Sequence, residues 1–113
     1  MIRLKDIASA RSGDKGSSAN IGVLAHTPAA FEYLKKHLTS EKVHSYFKGL
    51  SPQKTNRYEM ANIMALNFLL EGVLGGGGSR SLRSDSQGKA LGQALLLMKL
   101  PLTPEELETM RKS

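Results

Sequence analysis

Two glycine-bearing polar stretches hold the residue types that could do chemistry. The first is Ser12-Gly13-Asp14-Lys15-Gly16, with Arg11 just before it and Asn20 just after. Glycines flank an acid–base pair, so a turn here can expose both side chains. A lysine beside an aspartate can hold an anion or serve in proton transfer. The second is Glu71–Lys89, in which Gly75, Gly76, Gly77 and Gly78 precede Arg80, Arg83, Asp85 and Lys89. A glycine run carries the largest ordering cost in a chain, and it suits places where backbone passes close to something. Converging N–H groups followed by guanidinium and ammonium are what a carboxylate or phosphate site needs. Each stretch also has a plain reading. The first is equally a solvated turn, and the second a helix stop followed by a loop. Arg80 and Arg83, three apart, fall on opposite faces of a strand, which favours Arg80 as the anion contact. The G-x-x-x-x-G-K-[ST] spacing of a phosphate-cradling P-loop is absent.

Other constellations are weaker. His26, His37 and His44 show no H-x-x-x-H or H-E-x-x-H spacing, so no metal site is expected. Asn67 lies between Leu66 and Phe68 in an apolar run. It reads as a core amide that needs partners, or as a ligand contact.

The elements that must position these residues follow from the pattern. Ile2–Ala8 alternates like a strand until Asp6 interrupts it. Residues 10–20 read as a polar loop, and Asn20–His26 as a second strand, so the three make a hairpin with an unusually long connection. Thr27-Pro28 opens a helix as N-cap and first helical residue. Phe31, Leu34 and Leu38 repeat at helical spacing. Ser40 caps a second helix, with Val43, Tyr46, Phe47 and Leu50 as its stripe. Lys54–Met60 reads as a third strand. Asn62 caps a helix whose stripe is Ile63, Leu66, Leu69, Leu70 and Val73, apolar nearly all round, as a helix buried against a sheet or a second chain would be. Arg80–Ser84 is a short strand candidate. Gln87–Met98 reads as a helix on propensity, with Ala94–Met98 also compatible with a buried strand. Thr103-Pro104-Glu105-Glu106 is a capping box that starts a short terminal helix ending in a frayed Arg111-Lys112-Ser113. The order β-β-α-β-α-β-α predicts an α+β sandwich, a mostly antiparallel sheet with helices on one face. Its other face is then solvated, used in assembly, or used for a ligand.

The 113 residues fit one domain with a single core. Aromatics are only 5% and Trp is absent, so that core is aliphatic. Without cysteine the chain has no disulfide, thiolate nucleophile or cysteine-ligated zinc. The N-terminus lacks the apolar stretch of a signal peptide. No apolar run approaches the roughly 20 residues that span a bilayer, and a cytoplasmic location is expected. Net charge is +6 and the pI near 9.8. The basic residues are dispersed and lack aromatic stacking partners, which disfavours nucleic acid. An anionic small molecule or an acidic protein partner accounts for the charge as well.

Taken together, A-R-S-G-D-K-G at 10–16, N-I-G-V at 20–23, A-L-N-F at 65–68, L-G-G-G at 74–77 and S-R-S-L-R-x-D-x-Q-G-K at 79–89 resemble the AtuA-like ferredoxin-fold domain. This is the carboxy-terminal part of the acyclic terpene utilisation protein AtuA and its relatives. The resemblance spans roughly Ile2 to Leu100, and several separated motifs in order are far more specific than one. It implies a ferredoxin-like fold and a place in the catabolism of acyclic terpenes and branched acyl-CoA compounds. In that family the domain follows a much larger domain or occurs as a separate small protein, and this chain is similar to the separate form. A separately encoded large partner is therefore expected, together with homo-oligomer formation through the free sheet face. The motif residues carried over are Arg11, Gly13, Asp14, Lys15, Gly16 and Asn20, then Arg80, Arg83, Asp85, Gln87 and Lys89. The expected function is a non-autonomous component that contributes an anion site and a subunit interface. Asp14 is the candidate acid–base group, Lys15 and Arg80 anion contacts, and Gly75–Gly78 backbone donors. The alternatives are a docking module without chemistry and, less favoured, a nucleic-acid binder.

Overall fold

The computed structural model describes residues 2–16, 18–72 and 91–111. Strands β1 (Ala8–Lys15) and β2 (Ser18–Ala25) form a hairpin. Helices α1 (Pro28–His37) and α2 (Ser40–Tyr46) lead to a second hairpin, β3 (Lys54–Met60) and β4 (Ala65–Glu71). Residues 91–96 are helical (α3), and α4 (Pro104–Met110) follows. The four strands make one sheet in the order β1-β2-β4-β3, each pair antiparallel. The α+β sandwich expected from sequence is what the chain forms.

The core lies between this sheet and the helices. Along β2, Ala19, Ile21, Val23 and Ala25 are buried in strict alternation. Leu66, Phe68 and Leu70 of β4 join them, and Ala30, Phe31 and Leu34 of α1 close over the top. Thr27 caps α1 as expected, its Oγ1 accepting from Ala30 N at 3.1 Å with Pro28 first in the helix. The same hydroxyl donates to the Met110 carbonyl at 2.8 Å and so ties α4 to α1. Thr27→Val keeps the shape and removes both bonds; about 1–2 kcal/mol should be lost in urea denaturation. The Thr103 capping box forms in full, with Glu106 N to Thr103 Oγ1 at 3.1 Å and Thr103 N to Glu106 Oε1 at 3.0 Å.

Four elements differ from the sequence reading. The expected strand Ile2–Ala8 is instead a 3₁₀ turn over Leu4–Asp6, in which the Asp6 carboxylate accepts from Arg3 N at 2.8 Å. Leu4 and Ile7 are both fully buried, at a spacing of three that suits a turn rather than alternation. Residues 10–20 are not a long loop. β1 runs to Lys15, β2 starts at Ser18, and Lys15 pairs with Ser18 across a two-residue connection. Gly16 there adopts φ +65°, open to glycine at little cost. α2 is capped by Thr39, whose Oγ1 accepts from Lys42 N at 3.1 Å, rather than by Ser40. The largest correction concerns the apolar helix expected from Ile63. A 3₁₀ turn over Ala61–Ile63 ends with Met64 at φ +53°, and the chain then becomes strand β4. β4 is a central strand with Leu66, Phe68 and Leu70 on its core face; Ala65 and Leu69 accompany Asn67 and Glu71 on the other, and these added apolar residues obscure the alternation. No described helix is long and apolar enough to cross a membrane.

Candidate functional site

The helices cover one face of the sheet; among the described residues the other face is open. Strand alternation places Arg11 and Gly13 of β1 on that open face with Asn20, Gly22 and Leu24 of β2. Register continues the rows across the sheet. Arg11 stands opposite Gly22, Gly22 opposite Asn67, and Asn67 opposite Tyr58. In the neighbouring rows Gly13 faces Asn20 and then Leu69, while Leu24 faces Ala65 and then Met60.

Most of these residues, though not Gly13, Tyr58 or Leu69, line a groove of about 390 Å³. Its polar residues are Arg11, Ser12, Asn20 and Asn67, and its apolar walls are Leu24, Met60, Ile63 and Ala65. Gly22 forms the floor. A Cβ built there meets only Asn67 Oδ1 at 3.7 Å and the Arg11 carbonyl at 3.8 Å, ordinary contact distances. A larger side chain at position 22 would therefore project into the groove and fill it without disturbing the strand.

Arg11 is exposed, and Asn20 and Asn67 are half-buried. None of the three side chains makes a hydrogen bond or ion pair among the described residues. Their donors and acceptors face the groove, and Arg11 is the one cation among the described lining residues. One guanidinium and two amides around an apolar-walled trough can take a carboxylate and hold what is attached to it. Asn67 is thus no core amide. The strand turns it to the open face, beside Gly22.

The structure brings together only part of the expected site. Arg11 and Asn20 share the groove, and Gly13 and Gly16 lie toward the hairpin turn at its end. Asp14 and Lys15 occupy the last two positions of β1, opposite Ala19 and Ser18. Gly75, Gly76, Gly77, Gly78, Arg80, Arg83, Asp85, Gln87 and Lys89 lie outside the described residues. Of the residues near that segment, one stands at the end of the sheet and one is tied to the middle of β1. Glu71 pairs with Lys54 one step beyond the Leu70–Ala19 pair, and Gly92 N donates to Ser12 Oγ at 2.9 Å.

Gly92 packs α3 directly onto β1. A Cβ there would lie 2.8 Å from Ser12 Oγ and 3.2 Å from its Cβ. Gly92→Ala gains about 1 kcal/mol of helix propensity, yet the overlap should outweigh it, for a net loss of about 1–2 kcal/mol by thermal or urea unfolding.

Gly22, Leu24, Met60, Ile63 and Ala65 also line the groove, and the sequence does not assign them to a site; Asn67 is there read as a core amide or a ligand contact, but on a helix. The signal was available only to a reading of 65–71 as a strand, which puts Asn67 beside Gly22. A second hollow, of about 510 Å³, lies between α2 and β3, where His44 Nδ1 meets Thr55 Oγ1 at 2.8 Å. Among the described residues no group of three His, Asp or Glu side chains could hold a metal ion.

Residues 2–101 match the sequence model of the family described as the AtuA ferredoxin-like domain, and the chain belongs to that family. No curated protein and no solved structure gives a significant match.

Proposed function

We propose that this member of the AtuA ferredoxin-like domain family is a non-autonomous component of acyclic-terpene or branched acyl catabolism. Its own contribution is an anion site on the open face of the sheet. The observation that carries this reading is the row Arg11–Gly22–Asn67 with Asn20 beside it. Three polar side chains without partners among the described residues converge on a trough floored by glycine. All three lie in motifs that carry the family resemblance, Arg11 in A-R-S-G-D-K-G, Asn20 in N-I-G-V and Asn67 in A-L-N-F.

Isothermal titration with free carboxylates and acyl-CoA esters tests it, for the chain alone and with a large partner chain. Arg11→Met should weaken binding about 10- to 100-fold, as loss of a charge-assisted bond does. Gly22→Leu should abolish it by filling the trough while leaving the unfolding midpoint nearly unchanged. Absence of heat in every combination would overturn the reading. Asp14 as acid–base group, Lys15 and Arg80 as further anion contacts, and Gly75–Gly78 as backbone donors belong to the same proposal. Asp14→Asn and Arg80→Met are their tests, read as turnover and affinity once a ligand is in hand.

Assembly is the second part of the reading. Among the described residues β1 pairs with β2 alone, and we propose that its other edge, eight residues long, takes a strand of another chain. A homo-oligomer and a complex with a separately encoded large chain, in the cytoplasm, are the partners we propose. Sedimentation of the chain as a monomer that ignores that partner would remove this part. Nucleic acid is disfavoured, since the groove presents a single described cation; steep salt-dependent retention of DNA or RNA would reverse that judgement.

A further inference from the structure

Resting on the anion-site reading above, we infer that the ligand of the open face is an amphiphilic monocarboxylate: a carboxylate held at Arg11, with an aliphatic chain laid across the sheet toward Met60 and Ile63. The described lining carries one cation, which suits a ligand with one anionic group. Arg11 is the only cation among the described lining residues, and its neighbours Asn20 and Asn67 are neutral amides. Polyphosphates need more positive charge than that. The acid on the same face, Glu71, stands outside the groove and accepts from Asn56 Nδ2 at 2.7 Å, so it does not neutralise Arg11.

The polarity of the groove changes along its length. Arg11 lies on edge strand β1, and Met60 lies on the opposite edge strand β3. Between them Leu24 and Ala65 line the way. Ile63, 50% exposed, and Met60, 42% exposed, stand at the far end without cover. Three strand spacings separate the two edges, about 14 Å. A medium-chain carboxylate spans most of that distance, and glycine at position 22 leaves space for it to cross. An amphiphile laid this way pairs the guanidinium with its carboxylate and covers the exposed Met60 and Ile63 at once. An inorganic anion does only the first.

The test uses the full chain and a series of sodium carboxylates from acetate through hexanoate and octanoate to decanoate. Octan-1-ol and inorganic phosphate serve as controls, and binding is followed by backbone-amide NMR. Affinity should rise about two- to fourfold per methylene beyond hexanoate. Shifts should concentrate at Gly22, Asn67 and Ile63. Arg11→Met should weaken octanoate at least about tenfold without changing octanol. Ile63→Ser, at an exposed position, should flatten the length dependence while leaving acetate unchanged. If phosphate or acetate binds as tightly as octanoate, and through Arg11, the amphiphile assignment fails while the anion site stands. If octanoate binds no better than octanol and ignores Arg11→Met, both fail. Absence of shifts with every probe overturns both as well.

Discussion

Phe68→Ala is expected to lose about 3–5 kcal/mol of stability, the largest effect of any single truncation in this chain. Phe68 is fully buried on the central strand β4, between Ile21 of β2 and Arg57 of β3 in register. Ile21 and its β2 neighbour Val23 are buried with it in the core cluster. Truncation there leaves a cavity in the middle of the sheet, where two neighbouring strands hold the backbone and little collapse can follow. A domain of this size has about 5–15 kcal/mol in all, so the variant should be substantially unfolded at 37 °C. Leu69→Ala, one residue along, removes a half-buried side chain from the open face and should cost less than about 1 kcal/mol. The pair of urea denaturation curves is decisive. A helix through 63–74 would bury Leu69 in its stripe and make the two costs comparable, and that outcome would contradict strand β4.

The second large effect is expected at Arg57. Its Nη1 donates to two carbonyls at the end of α1, Lys35 O at 2.9 Å and Leu38 O at 3.0 Å. These oxygens belong to a helix terminus, where carbonyls lack intrahelical partners. An arginine on the edge strand therefore completes the end of a helix and fixes that helix to the sheet. Arg57→Met retains the aliphatic stem and removes the donors, and about 2–3 kcal/mol should be lost, because two partly buried carbonyls are left unpaired. The Arg57–Glu59 ion pair, at 3.1 Å with Glu59 largely exposed, contributes far less. Glu59→Gln should thus change stability by less than about 0.5 kcal/mol. Hydrogen exchange at the end of α1 separates the two cases: faster in Arg57→Met, unaltered in Glu59→Gln.

Elements with local punctuation were legible in the sequence. Thr27-Pro28 and Thr103-Pro104-Glu105-Glu106 carry their helix starts within four residues, and both form as read. β2 and β3 were legible too, β2 because one of its faces alone is buried. β4 was not: Ile63, Leu66, Leu69, Leu70 and Val73 fall at helical spacing, and only Asn67 and Glu71 mark its second face as polar. That single error hid the groove. With 63–74 taken as a helix, Asn67 has no reason to stand beside Gly22, and Met60 and Ile63 have no common face. β1 was hidden for the opposite cause. As an edge strand it tolerates Ser9, Arg11, Ser12 and Asp14, polar types that in isolation suggest a loop. Arg11 and Asn20 are legible as site candidates all the same, Arg11 through the family motif that carries it and Asn20 through its place after the Gly-Asp-Lys-Gly turn.

The first turn of the chain is completed by its last third. Leu4 N donates to Met98 O and Leu100 N to Ile2 O, each at 2.9 Å, and Leu4 and Ile7 enter the same core as Leu95 and Met98. During translation, at about 5–20 residues per second, residues 2–7 must wait with their apolar side chains uncovered for several seconds. The core cannot close until residue 100 has cleared the ribosome. Ribosome-stalled chains cut before position 95 should therefore remain open to protease and chaperone, however well their β1–β2 hairpin has formed.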